Sequence, residues 1–217
     1  MHVTDRRAYV ERYERRLHEH GHSPLTLGWG KPGRESVRFE VMAELIDEVG
    51  GESVLDVGCG FADLYDHLKA RGWKGSYHGI DIVPGLLAEA LTRHPELSVA
   101  EADIANYLPG ERDRFDVAIA SGVFNARLQD GRNDEHIRAS VTRMFELSRQ
   151  AICVDFMSTN VDFQHASAWH TDPCWALTLA ASLGKRFSLR HDYMPFEFAL
   201  AVYRDDDHPG NVFRAHR

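Results

Sequence analysis

Three aspartates stand where they could bind a small organic ligand. Asp56, Asp81 and Asp103 each follow a short, mostly apolar run. Asp56 lies in Val54-Leu-Asp-Val-Gly-Cys-Gly-Phe-Ala-Asp63, which reads as a strand running through Gly58 and Gly60 into a helix. Glycines there let the backbone pass close to a ligand, and the helix start offers unpaired N–H groups. A dinucleotide fingerprint needs a further glycine at position 63. The chain has Asp63 there, whose charge would repel a pyrophosphate. No Gly-Lys-Ser/Thr follows, so a P-loop is excluded. The loop therefore suits a ligand without phosphates, and preferably a cationic one. Asp81 closes Tyr77-His-Gly-Ile-Asp81, followed by Ile82. A carboxylate at the end of a second strand can accept both hydroxyls of a ribose. Asp103 closes a third run and can accept an adenine amino group, with Ile104 beside the ring.

These residues need a scaffold of alternating elements, and the sequence supplies one. Strands are expected at Ser53–Val57, Ser76–Ile80, Leu97–Ala100, Phe115–Ala120 and Ala151–Met157. Helices are expected between them at Leu64–Ala70, Pro84–Arg93 and around Ile137–Phe145. Such alternation implies right-handed crossovers and a parallel sheet. Asp172-Pro173 opens another helix, ending near Gly184. Phe187–Tyr193 and Glu197–Tyr203 are too close in sequence for a crossover, so they form an antiparallel hairpin. Ahead of the sheet, Tyr9, Val10, Tyr13 and Leu17 make one stripe of a helix over Asp5–Glu19. A loop with Gly28, Gly30, Pro32 and Gly33 follows, then a second amphipathic helix through Val41, Leu45 and Val49.

The 217 residues make one domain with a real core. With 25 Lys and Arg against 33 Asp and Glu, the net charge of −8 argues against binding nucleic acid by phosphate neutralisation. No apolar run approaches a membrane span, and the N-terminus lacks the apolar centre of a secretory signal. Cys59, Cys153 and Cys174 are scattered and odd in number, which suits a reducing cytoplasm. No metal site is expected, because His18, His20 and His22 are spaced around a helix rather than along one face.

The glycine loop and the acids in register resemble the class I S-adenosylmethionine-dependent methyltransferases, over roughly residues 53–157. The resemblance implies a Rossmann-like α/β fold: seven strands, mostly parallel, an antiparallel C-terminal hairpin, and helices on both faces. It implies S-adenosylmethionine as cofactor and S-adenosylhomocysteine as product. Asp56, Gly58 and Gly60 would lie near the methionine part. Asp81 would meet the ribose, Asp103 and Ile104 the adenine, Ile82 would be a cofactor contact beside Asp81, and Ser121 would face the transferred methyl. Asp63 is a further contact candidate. Leu27-Gly-Trp29, Arg38-Phe39 and His191-Asp-Tyr-Met-Pro-Phe-Glu-Phe198 resemble a group of small bacterial methyltransferases. There residues 1–50 would form a lid over a core of 51–217, with Trp29 over the cofactor and Arg38 on its methionine carboxylate.

The acceptor should lie over the carboxyl ends of the strands. That selects Ser121, Gly122, Val123, Phe124, Asn125 and Arg127 after the fourth strand and Trp169 in the loop after the fifth. Arg127 can anchor an anion. His165, His170 and Tyr193 are candidate bases, needed only if the acceptor atom starts protonated. No Asn-Pro-Pro-Tyr acceptor motif and no basic module are present, so a small-molecule O or N acceptor is expected. The alternatives are an RNA or protein methyltransferase, or a non-catalytic cofactor-binding subunit of a complex. Turnover by the isolated chain separates the last case from the others. Oligomeric state is left open.

Overall fold

Continuous apolar runs place the central strands. Val117–Ala120 and Ala151, Ile152 and Val154 are fully buried, as strands covered on both faces must be. In the computed structural model, which describes residues 1–29, 33–108, 110 and 114–205, these runs are the middle of one seven-stranded sheet. The strands are β1 (Ser53–Val57), β2 (Ser76–Asp81), β3 (Ser98–Glu101), β4 (Phe115–Ala120), β5 (Ser148–Met157), β6 (Arg186–Met194) and β7 (Glu197–Tyr203). Their order is β3-β2-β1-β4-β5-β7-β6. Strands β1 to β5 pair in parallel, and β7 runs antiparallel to both β5 and β6. The expected sheet and hairpin are both present. β5 starts at Ser148 rather than Ala151, because ladder pairing with Phe115 extends it beyond its apolar run.

The period-2 alternation sorts side chains into two cores. Val54, Val117, Ile119 and Cys153 face one side, under α3 (Arg34–Val49), α4 (Asp63–Ala70) and α5 (Pro84–Arg93). Leu55, Ala118, Ile152 and Val154 face the other, under α6 (Asn133–Leu147) and α7 (Pro173–Leu183). The chain leaves β1 for β2 on one side, and β4 returns beside β1 on the other. That reversal opens a crevice at the carboxyl ends of β1 and β4.

Two more helices, α1 (Val3–His20) and α2 (Pro24–Leu27), lie over the crevice. Val10, Tyr13, Leu17 and Leu27 pack on Phe61, Val83 and Leu86, so the stripe read from the sequence seats α1 on the glycine loop and α5. Polar contacts also fasten α1. The Gln129 N–H donates to Asp5 at 2.8 Å, the Gly85 N–H to Glu14 at 2.9 Å, and Arg6 pairs with Glu101 at 2.7 Å. α2 falls in the stretch expected to be a loop; Ser23 caps it and Pro24 sits in its first turn. α3 differs from the expected lid. It buries Phe39, Met42, Leu45 and Ile46 against the sheet, and only Arg34 and Arg38 of its first two turns reach the crevice side. Gly30 and Pro32 of the expected loop lie outside the described residues. Among the described residues no helix is long and apolar enough to cross a membrane, and no cluster of three His, Cys, Asp or Glu could hold a metal ion.

Candidate functional site

At the end of β1 the Gly58 and Cys59 N–H groups both donate to the Ile80 carbonyl, at 2.7 and 3.1 Å. This draws the glycine loop onto β2. Gly58 has φ +70°, and a Cβ there would stand 2.5 Å from a Val123 methyl. Only glycine meets both conditions. Ala62 adopts φ 62° just before α4, at a cost of about 1–2 kcal/mol.

Asp81 is buried at the end of β2. Its two oxygens accept the Gly60 and Val83 N–H groups, each at 2.9 Å, and each oxygen keeps a lone pair for a further donor. Burial raises its pKa, against the pull of those N–H groups. Asp103 accepts the Ala105 N–H at 3.1 Å and the Met1 ammonium at 2.8 Å. Burial pushes its pKa up, but these donors outweigh it and hold the carboxyl below its usual range.

Trp29, Gly58, Asp81, Ile82, Asp103, Ile104 and Ser121 line one cleft of about 730 Å³, including its open mouth. The Ser121 hydroxyl and the Gly122 N–H both donate to Asp155, each at 2.6 Å. The other candidates point elsewhere. Asp56 lies behind the loop, accepting the Tyr77 hydroxyl at 2.6 Å. Gly60 acts through its N–H on Asp81 rather than as wall. Asp63 neither caps α4 nor lines the cleft; it pairs with Arg93 and His22, both at 3.0 Å.

Residues 54–150 match the family described as a methyltransferase domain. Rv1506c of Mycobacterium tuberculosis, a relative assigned to the methyltransferases, is 32% identical over 155 residues, spanning 69% of this chain and 92% of that one. The chain belongs to the class I S-adenosylmethionine-dependent methyltransferases. Solved structures agree on the fold. Magnesium protoporphyrin IX methyltransferase from Synechocystis, solved with S-adenosylmethionine bound, aligns with a TM-score of 0.66 and 16% identity over 94% of this chain and 99% of that one. An amino pentose methyltransferase from Micromonospora echinaspora, also with S-adenosylmethionine, aligns with a TM-score of 0.64 and 15% identity over 82% and 94%. The family's methyl donor is S-adenosylmethionine.

In this methyltransferase the cleft shares Tyr9, Tyr13, Leu27, Trp29 and Gly122 with a second, outer cavity of about 1150 Å³, open solvent included. Arg38 belongs to the outer cavity, not to the cleft. Its guanidinium is buried, stacks over Trp29 at 4.6 Å and grips Glu197 with Nε and Nη2. That carboxylate already holds the fork expected to meet the methionine carboxylate. Asn125 and His165 line the outer cavity. The Asn125 side chain accepts the Met157 N–H at 3.0 Å, tying the loop after β4 to β5.

Arg127 and Trp169 line neither space: the guanidinium stacks over the indole at 5.1 Å and donates to the Ala166 carbonyl at 3.1 Å. Of the candidate bases, His165 bonds Ser167 at 2.9 Å. His170 donates from Nδ1 to the Ser158 carbonyl at 2.8 Å, and its Nε2 has no partner. It lines a neighbouring hollow with Phe163 and Phe196. Tyr193 packs against the core under α3, where burial and the nearby Asp155 and Glu197 charges keep its proton on.

Sequence reasoning missed Tyr9, Tyr13 and His136 of the cleft, and it set Val123 and Phe124 on the acceptor surface, whereas they line the cleft. The tyrosines were visible as a helical stripe, which core packing explains equally well. Burial, then the Met1 ammonium, lowers the His136 pKa, keeping a neutral ring beside Asp103. Asp155 was also missed, inside a strand that read as apolar core.

Proposed function

We propose that this enzyme transfers a methyl group to an O or N atom of a small-molecule acceptor lying in the outer cavity. The observation that carries the reading is the shared wall. A cleft with acids at two adjacent strand ends opens, past Tyr9, Tyr13, Trp29 and Gly122, into a cavity with its own polar lining. The cleft residues fit S-adenosylmethionine. Asp81 keeps free lone pairs for ribose hydroxyls, Ile82 and Ile104 are apolar flanks for a purine, and Gly58 brings the backbone at the end of β1 into the cleft wall. When bound, the cofactor supplies an electrophilic methyl carbon on a sulfonium. The protein aligns the acceptor and keeps water out. Asp81 and Asp103 hold the nucleoside end, Trp29 and α1 close the roof, and Asp155 fixes Ser121 and Gly122 at the junction.

A cavity under helices suits a small acceptor better than a polymer, and the amino pentose methyltransferase is a structural neighbour with a small-molecule substrate. Titration calorimetry of the isolated chain tests the reading. S-adenosylmethionine and S-adenosylhomocysteine should bind at micromolar concentrations and NAD should not. Asp81→Asn, which keeps an acceptor for the loop, should weaken binding about 100-fold, the loss of two charged hydrogen bonds. Unchanged affinity would sink the ribose assignment.

A further inference from the structure

α1 turns an unusual face to the outer cavity. Tyr9, Arg12, Tyr13 and Arg16 follow one another at helical spacing along it, and Arg34 and Arg38 come from the first two turns of α3. Arg12 and Arg16 stand four residues apart, as do Arg34 and Arg38. Like charges at that spacing destabilise a helix. Several arginines elsewhere pair with the chain's abundant acids, as at Arg6, Arg71, Arg93 and Arg186. Among the described residues, Arg12, Arg16 and Arg34 have no carboxylate within ion-pair distance. The cavity's one acid, Glu197, is occupied by Arg38. The cavity is thus strongly cationic in a chain of net charge −8. Two of these guanidiniums are stacked in place, Arg12 over Tyr9 at 5.7 Å and Arg34 over Phe196 at 5.0 Å. Stacking leaves the N–H edges of the fork available.

We infer that the acceptor is an organic carboxylate, seated by Arg12, Arg16 and Arg34 and methylated on a carboxylate oxygen to give a methyl ester. The inference rests on the proposed methyl transfer and names its acceptor class. A planar fork matches a carboxylate in two parallel hydrogen bonds. Tyr9, Tyr13, Trp29 and Phe196 provide walls for an apolar body. A lone pair on the acceptor oxygen forms the new O–C bond, the C–S bond breaks, and its electron pair stays on sulfur. Products are a neutral ester and a thioether, and no proton is released. The tyrosines shared by cleft and cavity agree: burial keeps Tyr9 and Tyr13 protonated, so neither is poised as a base.

The test uses the full chain loaded with S-adenosylhomocysteine, titrated with benzoate, octanoate, citrate, phenyl phosphate and benzamide. At least one carboxylate should bind about tenfold or more tighter than benzamide and phenyl phosphate. Arg12→Gln/Arg34→Gln should lose about tenfold or more of that affinity while still binding S-adenosylhomocysteine. With S-adenosylmethionine and a carboxylic acid panel, the product's methyl should be released as methanol by alkali, which ethers and N-methyl groups resist. Absence of carboxylate binding, equal binding of benzamide, preference for phenyl phosphate, or full affinity in the double variant overturns the acceptor class and leaves methyl transfer standing. Failure of the wild-type chain to bind S-adenosylhomocysteine would instead fell the reading beneath it.

Discussion

Asp56 sits in the family motif yet carries an internal electrostatic cost. Burial, with the Asp81 and Asp63 charges behind it, pushes its carboxyl from 3.8 up to about 7, and the Tyr77 hydroxyl offsets only part of this. Its folded pKa lies above its unfolded one, so between these values the native state binds more protons than the unfolded state. Stability then falls as pH rises through that window. Asp56→Asn removes the titration and keeps an acceptor for Tyr77. Relative to this variant, the wild type should lose on the order of 3 kcal/mol between pH 5 and pH 8. Urea unfolding of both proteins at the two pH values checks it, and parallel profiles would remove the account. The motif was legible because spacing alone places an acid ahead of two glycines. Which way the acid faces was not legible, because strand alternation assigns a side without saying what covers it.

At the level of elements, α1 is the piece that makes a site out of a crevice. It is held by few fastenings, of which the Gly85 N–H to Glu14 bond is internal to its seat on α5. Elements held this way open locally without global unfolding. Glu14→Ala should therefore speed hydrogen exchange in peptides covering residues 3–20 and leave β1, β4 and β5 unchanged. Mass spectrometry reads both at once, and S-adenosylhomocysteine should restore protection. Exchange rising equally in the central strands would mean that α1 is part of the core rather than a roof. The helix itself was legible from its stripe and its Gly21 stop. Its duty was not: Tyr13 both packs under Leu86 and lines the cleft, and a hydrophobic stripe looks the same in either role.

Across the molecule, the roof and the sheet share side chains. Tyr13 and Leu27 meet Phe61 and Val83, and Trp29 meets Phe39 of α3 at 5.3 Å. The chain should then unfold as one unit, as continuous cores do. A ligand spanning roof and sheet stabilises that unit by mass action, by about 2.7 kcal/mol at a hundred times its dissociation constant. For a chain of this length, S-adenosylhomocysteine should raise Tm by about 5–10 °C in a single calorimetric transition. Two transitions, with only the lesser one moved, would show residues 1–50 folding separately.

The sequence by itself determined the sheet, its crossovers, the closing hairpin, the glycine loop and the acids at the strand ends. Those features are local: apolar period, turn chemistry and the spacing between a strand and its helix set them within a few residues. Only the tertiary structure decided that Arg38 is engaged by Glu197, 159 positions away, that Arg127 turns outward onto Trp169, and that Arg12, Arg16 and Arg34 converge on one cavity. An arginine's partner depends on which elements pack together, and no spacing along the chain records that.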